Sequence, residues 1–413
     1  MGKKDKPKGR GGSLLALGFA NIVDNQEGGL INSLFPIIRD ALGMSISALG
    51  IFSSISKFAR MIFGPLWSIL ADRYGRKKVL FFITGVWGIW TIFAGLAQSY
   101  QQYLILYTLG CVGTVASEPI SNAIVSDMYK SGERSKAFGT LRFITTYAGI
   151  VITPIIAQLA RIENGWRIGM FIMGGCSVIS GLLILFLLKE PEKEKETPIE
   201  KKFEWKKVPD LFKIPTFRLL GGTQIFVTSV ALTAFMITFM VDVRGFETAT
   251  ANLVMMPFGL GIGISSLLGG FLGDWAEKKN PERGRIYLMQ IYLVVFAILT
   301  FLALGIEWSV TGYLIIWGLV GLVYSIGFIG AVFPMVSNVI PHELSGTAFG
   351  ILFSLVQGLF TALFSLGIGF LAERFGLGSA MIWVIPLPYL LNAVYWFLFY
   401  KPYPKDVAAA KGQ

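Results

Sequence analysis

Six ionisable side chains stand inside stretches of this chain that are otherwise apolar: Asp24, Glu27, Lys57, Arg60, Glu118 and Arg142. A charge at the centre of a membrane helix costs about 2.5–3.5 kcal/mol on insertion scales, so such groups face a bundle interior or a wet cavity and mark ion or substrate pathways. Asp24 and Glu27 are three residues apart and share a helix face, as do Lys57 and Arg60. Depth along the spans groups these four near mid-span and sets Glu118 with Arg142 toward the cytoplasmic end, so that three acids face three bases in two neutral clusters. Desolvation and an approaching arginine act oppositely on the proton of a carboxylate, which is the chemistry of a switch. Asp24, Glu27 and Glu118 are therefore expected to couple protons, and Lys57, Arg60 and Arg142 to contact substrate. Inert salt bridges are the competing reading, but buried ion pairs are a poor source of stability.

These residues need membrane helices to hold them. The 413-residue chain is 54% hydrophobic and 15% charged, with a mean hydropathy of +0.64; soluble domains carry about 25% charge. Twelve apolar runs of at least 18 residues, each long enough to cross a bilayer as a helix, centre near residues 25, 59, 88, 115, 149, 177, 229, 262, 295, 325, 359 and 390. The one long polar stretch, KEPEKEKETPIEKKFEWKKVPDLFK (189–213), divides them six and six. The expected fold is an all-α membrane protein of twelve transmembrane helices in two pseudo-symmetric six-helix bundles. Its parts are a tail (1–12), a bundle (13–188), a linker (189–215), a second bundle (216–400) and a second tail (401–413).

Charge placement sets orientation. The net charge is +11, yet with both termini in the cytoplasm most Lys and Arg fall in cytoplasmic loops, leaving Arg39, Arg161, Arg167, Arg244 and Arg374 outside. This is the positive-inside bias, and it accounts for the basic charge without a nucleic-acid partner. The opening MGKKDKPKGRGG reads as a tail, not as a signal peptide. Cys111 and Cys176 lie in separate apolar runs, and the one histidine, His342, is in a loop. Neither a disulfide, a metal site, a cofactor nor an enzyme centre is expected. The energy source would be a proton gradient.

The second half has no ionisable residue at midplane depth. Thr223, Gln224, Thr228, Tyr324, Asn338 and Gln357 are scattered among Phe, Met, Leu and Gly, a wall suited to the apolar part of a ligand, with Gln224, Tyr324 and Gln357 as polar contacts. Glycines 259, 261, 263, 269, 270 and 273 crowd the eighth span and let helices approach or bend.

A charged motif, SILADRYGRKK (68–78), follows the second span. Gly75 permits a tight turn there. A weaker copy, GGFLGDWAEKKN (269–280), follows the eighth span and places Asp274 over Asp72; GERSKAFG (132–139) and ELSGTAFG (343–350) form a second echo. Duplicated bundles of this kind are a known solution for secondary transport. The motif resembles the signature loop of the major facilitator superfamily at Leu70, Ala71, Asp72, Arg73, Gly75, Arg76 and Lys77, departing from it at Ser68. The resemblance implies alternating access and a cytoplasmic gate of Asp72, Arg73, Gly75, Arg76 and Lys77, joined by Asp127 and by Arg134, which is similar to the basic residue of the loop between helices four and five. The absence of an arginine in span four, and GIVITP (149–154) alone in span five, depart from the drug–proton antiporters. The acids of spans one and four are similar to those of Spinster-like lipid carriers and organic-anion carriers. The expected function is a proton-coupled secondary transporter, a cell-membrane monomer, for a small amphipathic or lipid-like molecule. A carrier of small organic anions is the alternative, then a multidrug antiporter; a receptor or channel is the reading from another class.

Overall fold

The computed structural model describes residues 10–129, 131–189, 208–341 and 344–411, with side chains at 10, 131–136 and 411 excluded. Most of the expected linker, together with His342 and the side chain of Arg134, lies outside that description. Among the described residues, ten helices have the length and apolar composition to cross a membrane. They are α3 (Arg76–Gly95), α4 (Tyr100–Met128), α5 (Ala137–Arg161), α6 (Gly165–Leu187), α7 (Pro215–Asp242), α8 (Thr248–Lys279), α9 (Gly284–Gly305), α10 (Val310–Val339), α11 (Ser345–Phe375) and α12 (Leu377–Tyr400). Two more polar helices of sufficient length precede them, α1 (Arg10–Leu42) and α2 (Ser47–Tyr74), completing a twelve-helix membrane fold. A short helix, α13 (Pro402–Lys411), follows. Helices are the expected solution, since hydrocarbon offers no partner for a free backbone N–H or C=O.

Local chemistry sets the breaks. Gly75 separates α2 from α3 at φ 100° and ψ 128°, a conformation that excludes most side chains. Ser99 accepts from the Gln102 amide to cap α4, and Ser309 from the Gly312 amide to cap α10. Among the described residues, three helices contain a π-helical segment: α3 at Phe81–Val86, α10 at Phe328–Val332 and α11 at Gly350–Val356.

The chain divides into two compact units, Met1–Ser45 with Phe58–Pro198, and Ile46–Lys57 with Ile199–Gln413. The first half of α2 therefore groups with the second unit instead of the bundle to which its sequence position assigned it. The reason is small-residue packing: Ser53 Oγ donates to Ser365 Oγ at 3.0 Å, and Ser54 Oγ to the Ala362 carbonyl at 2.7 Å. A Cβ on Gly50 would collide with the backbone of Ser365.

Within the first unit, all six helices contribute to one core, including Leu17 and Ala20 of α1, Leu80 and Ile83 of α3, Ile120 and Ile124 of α4, Leu141 of α5 and Ile184 of α6. Gly85 of α3 and Gly181 of α6 touch backbone to backbone. The second unit has an aromatic core in which Phe296 and Tyr389 lie 4.5 Å apart between ring centres and Phe258 meets both Trp317 and Tyr324 edge-on.

Candidate functional site

The helix-one carboxylates are held by hydroxyl groups. The Thr84 hydroxyl of α3 lies 3.5 Å from Asp24 Oδ2 and 3.4 Å from Ser117 Oγ of α4. One turn along α1, Glu27 Oε1 accepts from Thr91 of α3, while Oε2 accepts from Ser177 of α6 at 2.8 Å. Thr84 belongs to the π-helical segment Phe81–Val86; such segments change the register of a helix face and recur at functional sites. Its neighbour Gly85 allows α6 to approach, bringing Ser177 to the same region. Asn21, one turn before Asp24, is buried, and its Oδ1 has no hydrogen-bond partner; the same is true of Ser121 Oγ, one turn after Ser117, and of Asp24 Oδ1.

Arg60 pairs with Glu118 at 3.7 Å, with side chains 62% and 47% exposed. This corrects the grouping by depth, which set Arg60 beside Asp24 and Glu27 and Glu118 beside Arg142. A distance along the helix axis says nothing about azimuth, and Glu118 points outward from α4 whereas Ser117 beside it is buried. Arg142 is exposed on α5. Lys57 is half-buried at the end of the α2 segment that groups with the second unit.

Of the remaining expected contacts, Gln224 is buried in α7, where its amide donates to the Leu220 carbonyl and Thr223 Oγ1. Tyr324 is half-buried between Phe258 and Phe296, at 5.4 and 6.1 Å between ring centres. Gln357 is half-buried where α11 leaves its π segment.

The signature loop makes charge contacts inside the first unit. Arg76 reaches Asp72 at 2.9 Å and also pairs with Asp127 of α4. Arg73 lies 5.4 Å over the Tyr74 ring, and Lys77 is half-buried beside Arg76. Four hydroxyl partners, Thr84, Thr91, Ser117 and Ser177, were not predicted from sequence. Nor was Arg285 of α9, a buried arginine that bonds Glu277 at 2.5 Å and the Gly330 carbonyl at 2.5 Å. The signal for Arg285 was present as a basic residue eight positions after an acidic one, across a helix break.

Membrane-length helices in two bundles, with carboxylates and an arginine pair set within their spans, define a multi-pass membrane carrier. The chain belongs to the Major Facilitator Superfamily, whose family model matches residues 17–365. Among its relatives, the Hexuronate transporter of Bacillus subtilis is 25% identical over 291 residues, 68% of each chain. The Probable galactarate/D-glucarate transporter of Escherichia coli is 24% identical over 357 residues, 76% of each. Protein spinster homolog 1 of Xenopus laevis is 22% identical over 52% of this chain and 43% of its own. In fold, the chain is similar to a bacterial homolog of the human lysosomal transporter Spinster, in an inward-facing and occupied conformation. The TM-score is 0.78 at 19% identity, covering 99% of this chain and 98% of the other. A D-xylose–proton symporter gives a TM-score of 0.76 at 14% identity, covering 94% and 98%. The relatives are transporters, so the chain is a transporter of small molecules and not an enzyme.

Proposed function

We propose that this transporter carries a small organic anion, driven by protons taken up at Asp24 and Glu27. One observation carries the reading: the charges of the first unit are sorted. The two helix-one carboxylates are surrounded by hydroxyls within the bundle, while Arg60 and Arg142 are exposed. An arginine that is both mid-span and exposed belongs in a wet cavity, since lipid would not tolerate it. There its planar fork suits a carboxylate or sulfonate. Glu118, 3.7 Å away, occupies Arg60 in the empty carrier and competes with an incoming anion. Relatives named as hexuronate and galactarate/D-glucarate transporters favour an acidic cargo.

A second reading, an amphipathic or lipid-like cargo, draws on the aromatic wall around Tyr324 and on the Spinster-like fold. The carrier then works as a cell-membrane monomer with cytoplasmic termini in either case, and neither nucleic acid nor a cofactor has a part.

Counterflow in proteoliposomes against a panel of uronates, aldarates, sulfonates and lysophospholipids separates the two. The first reading expects exchange of an acid, a loss of at least tenfold in apparent affinity with Arg60→Gln, and loss of proton-driven uptake but not of exchange with Asp24→Asn. Exchange of lysophospholipid alone, indifferent to Arg60→Gln, replaces it with the second. Gradient-driven uptake that survives Asp24→Asn, Glu27→Gln and Glu118→Gln in turn ends the coupling proposal.

A further inference from the structure

The oxygens around Asp24 are spaced too widely for hydrogen bonding alone. Hydroxyl donors lie about 2.7–2.8 Å from an oxygen acceptor, whereas Thr84 Oγ1 stands 3.5 Å from Asp24 Oδ2 and 3.4 Å from Ser117 Oγ. A hydroxyl carries one proton and cannot donate to both. Oxygens bound at about 2.4 Å to a calcium-sized cation stand about 3.4 Å apart along the edges of an octahedron. Sodium has that size. Magnesium, with bonds of about 2.0–2.1 Å, would draw the same edges in to about 2.9 Å.

Two more side chains, each one helical turn from this group, have oxygens that lack partners. Asn21 is 5% exposed and Ser121 fully buried; neither Asn21 Oδ1, Ser121 Oγ nor Asp24 Oδ1 has a hydrogen-bond partner. Asn21 shares the α1 face of Asp24, and Ser121 the α4 face of Ser117. Those two faces pack together through Ala20, Ile120 and Ile124. A buried polar atom without a partner costs about 1–3 kcal/mol, and a ligand shared by these two packed faces would relieve all three. The donor set is one carboxylate, one amide carbonyl and three hydroxyls. Among the described residues no three His, Cys, Asp or Glu side chains converge, so soft or transition metals do not fit, while a hard cation does. Glu27, the other titratable group on this face, is committed to Thr91 and Ser177, which leaves one negative charge and favours a monovalent ion.

We infer that Asn21, Asp24, Thr84, Ser117 and Ser121 form a sodium site, in which a sodium ion and a proton compete for the Asp24 carboxylate. The inference rests on the coupling role of Asp24 for its consequence, but not for its geometry. A transporter with this site is energised by whichever ion gradient is steeper.

The test is thermal unfolding of the full chain in lipid nanodiscs at one fixed pH, with sodium, potassium or choline chloride at constant ionic strength. Sodium should raise the midpoint saturably and the other two should not. Asn21→Ala and Ser121→Ala should each raise the half-saturating sodium concentration about tenfold or more, and Asp24→Asn should abolish the effect. Equal midpoints in sodium and choline overturn the inference, as does a sodium effect that persists unchanged in both alanine variants. Uptake driven by a proton gradient in sodium-free medium reads the coupling role separately. If it depends on Asp24 while sodium gives no stabilisation, the site is a proton site alone and the coupling proposal stands.

Discussion

The loops after α2 and α8 share a sequence echo and differ in physics. In the first unit, Arg76 bridges Asp72 and Asp127 at the surface, and both carboxylates are about half exposed or more. In the second, Asp274 stands where the echo puts it, but its cation is eleven residues away instead of four. Arg285, 7% exposed, bonds Glu277 at 2.5 Å, Asp274 at 3.5 Å and the Gly330 carbonyl at 2.5 Å. Glu277 continues to Asn338 at 3.4 Å, and Asn338 to the Tyr403 hydroxyl of α13 at 3.2 Å. Asp406 of the same short helix accepts from the Thr216 amide at 2.8 Å, capping α7. Exposed ion pairs contribute about 0–1 kcal/mol and are screened by salt; a buried guanidinium that loses its partners does not have that latitude. One duplicated loop thus became a contact that breaks at little cost, the other a clamp on α7, α8, α9, α10 and α13.

The largest effect should come from breaking the clamp. Arg285→Met leaves Glu277 and the Gly330 carbonyl without their donor, at a cost of about 2–3 kcal/mol, read as a lowered unfolding midpoint in lipid. Arg285→Lys should rescue little, because a single ammonium cannot reproduce the fork. A variant as stable as the parent would remove the distinction between the two loops.

Arg76→Gln sharpens the comparison from the other side. It should cost less than about 1 kcal/mol of stability while shifting the populations of conformers, measured by electron-spin distances between labels near Lys78 and Lys279. Unchanged distance distributions would reduce the signature loop to a determinant of topology.

How much of this could be read from the chain depends on the range of the interaction. Helix number was legible because span length and hydropathy are local. The turn at Gly75 was legible because it needs positive φ, whereas the Asp72–Arg76 contact across that turn was not read from the chain. The hydroxyls around Asp24 and Glu27 were not, since Ser177 is 150 residues from Glu27 and most membrane-helix hydroxyls bond their own helix. Thr108 and Thr145 do so, donating to the carbonyls of Leu104 and Leu141. Only tertiary packing distinguishes Thr84 from Thr145. The same limit misassigned Arg60, whose azimuth relative to Glu118 depends on how α2 and α4 cross, and hid the grouping of Ile46–Lys57 with the second unit.

The smallest effect tests the far end of the clamp. Tyr403 lies beyond α12, and burial pushes its phenol above the ordinary range, with Asn338 and Arg285 opposing that shift and Glu277 adding to it. A phenol held neutral in the fold makes no pH-dependent difference while the unfolded chain is also neutral. Above the unfolded value of about 10, the unfolded state ionises first and stability falls as pH rises. Tyr403→Phe should therefore cost about 0.5–1 kcal/mol below that pH through the lost contact to Asn338, and the deficit should narrow in more alkaline buffer. Parent and variant unfolding midpoints measured between neutral pH and about pH 11 check the sign; a deficit that widens with pH would mean the hydroxyl ionises more readily in the fold than out of it, and that Arg285 outweighs burial at Tyr403.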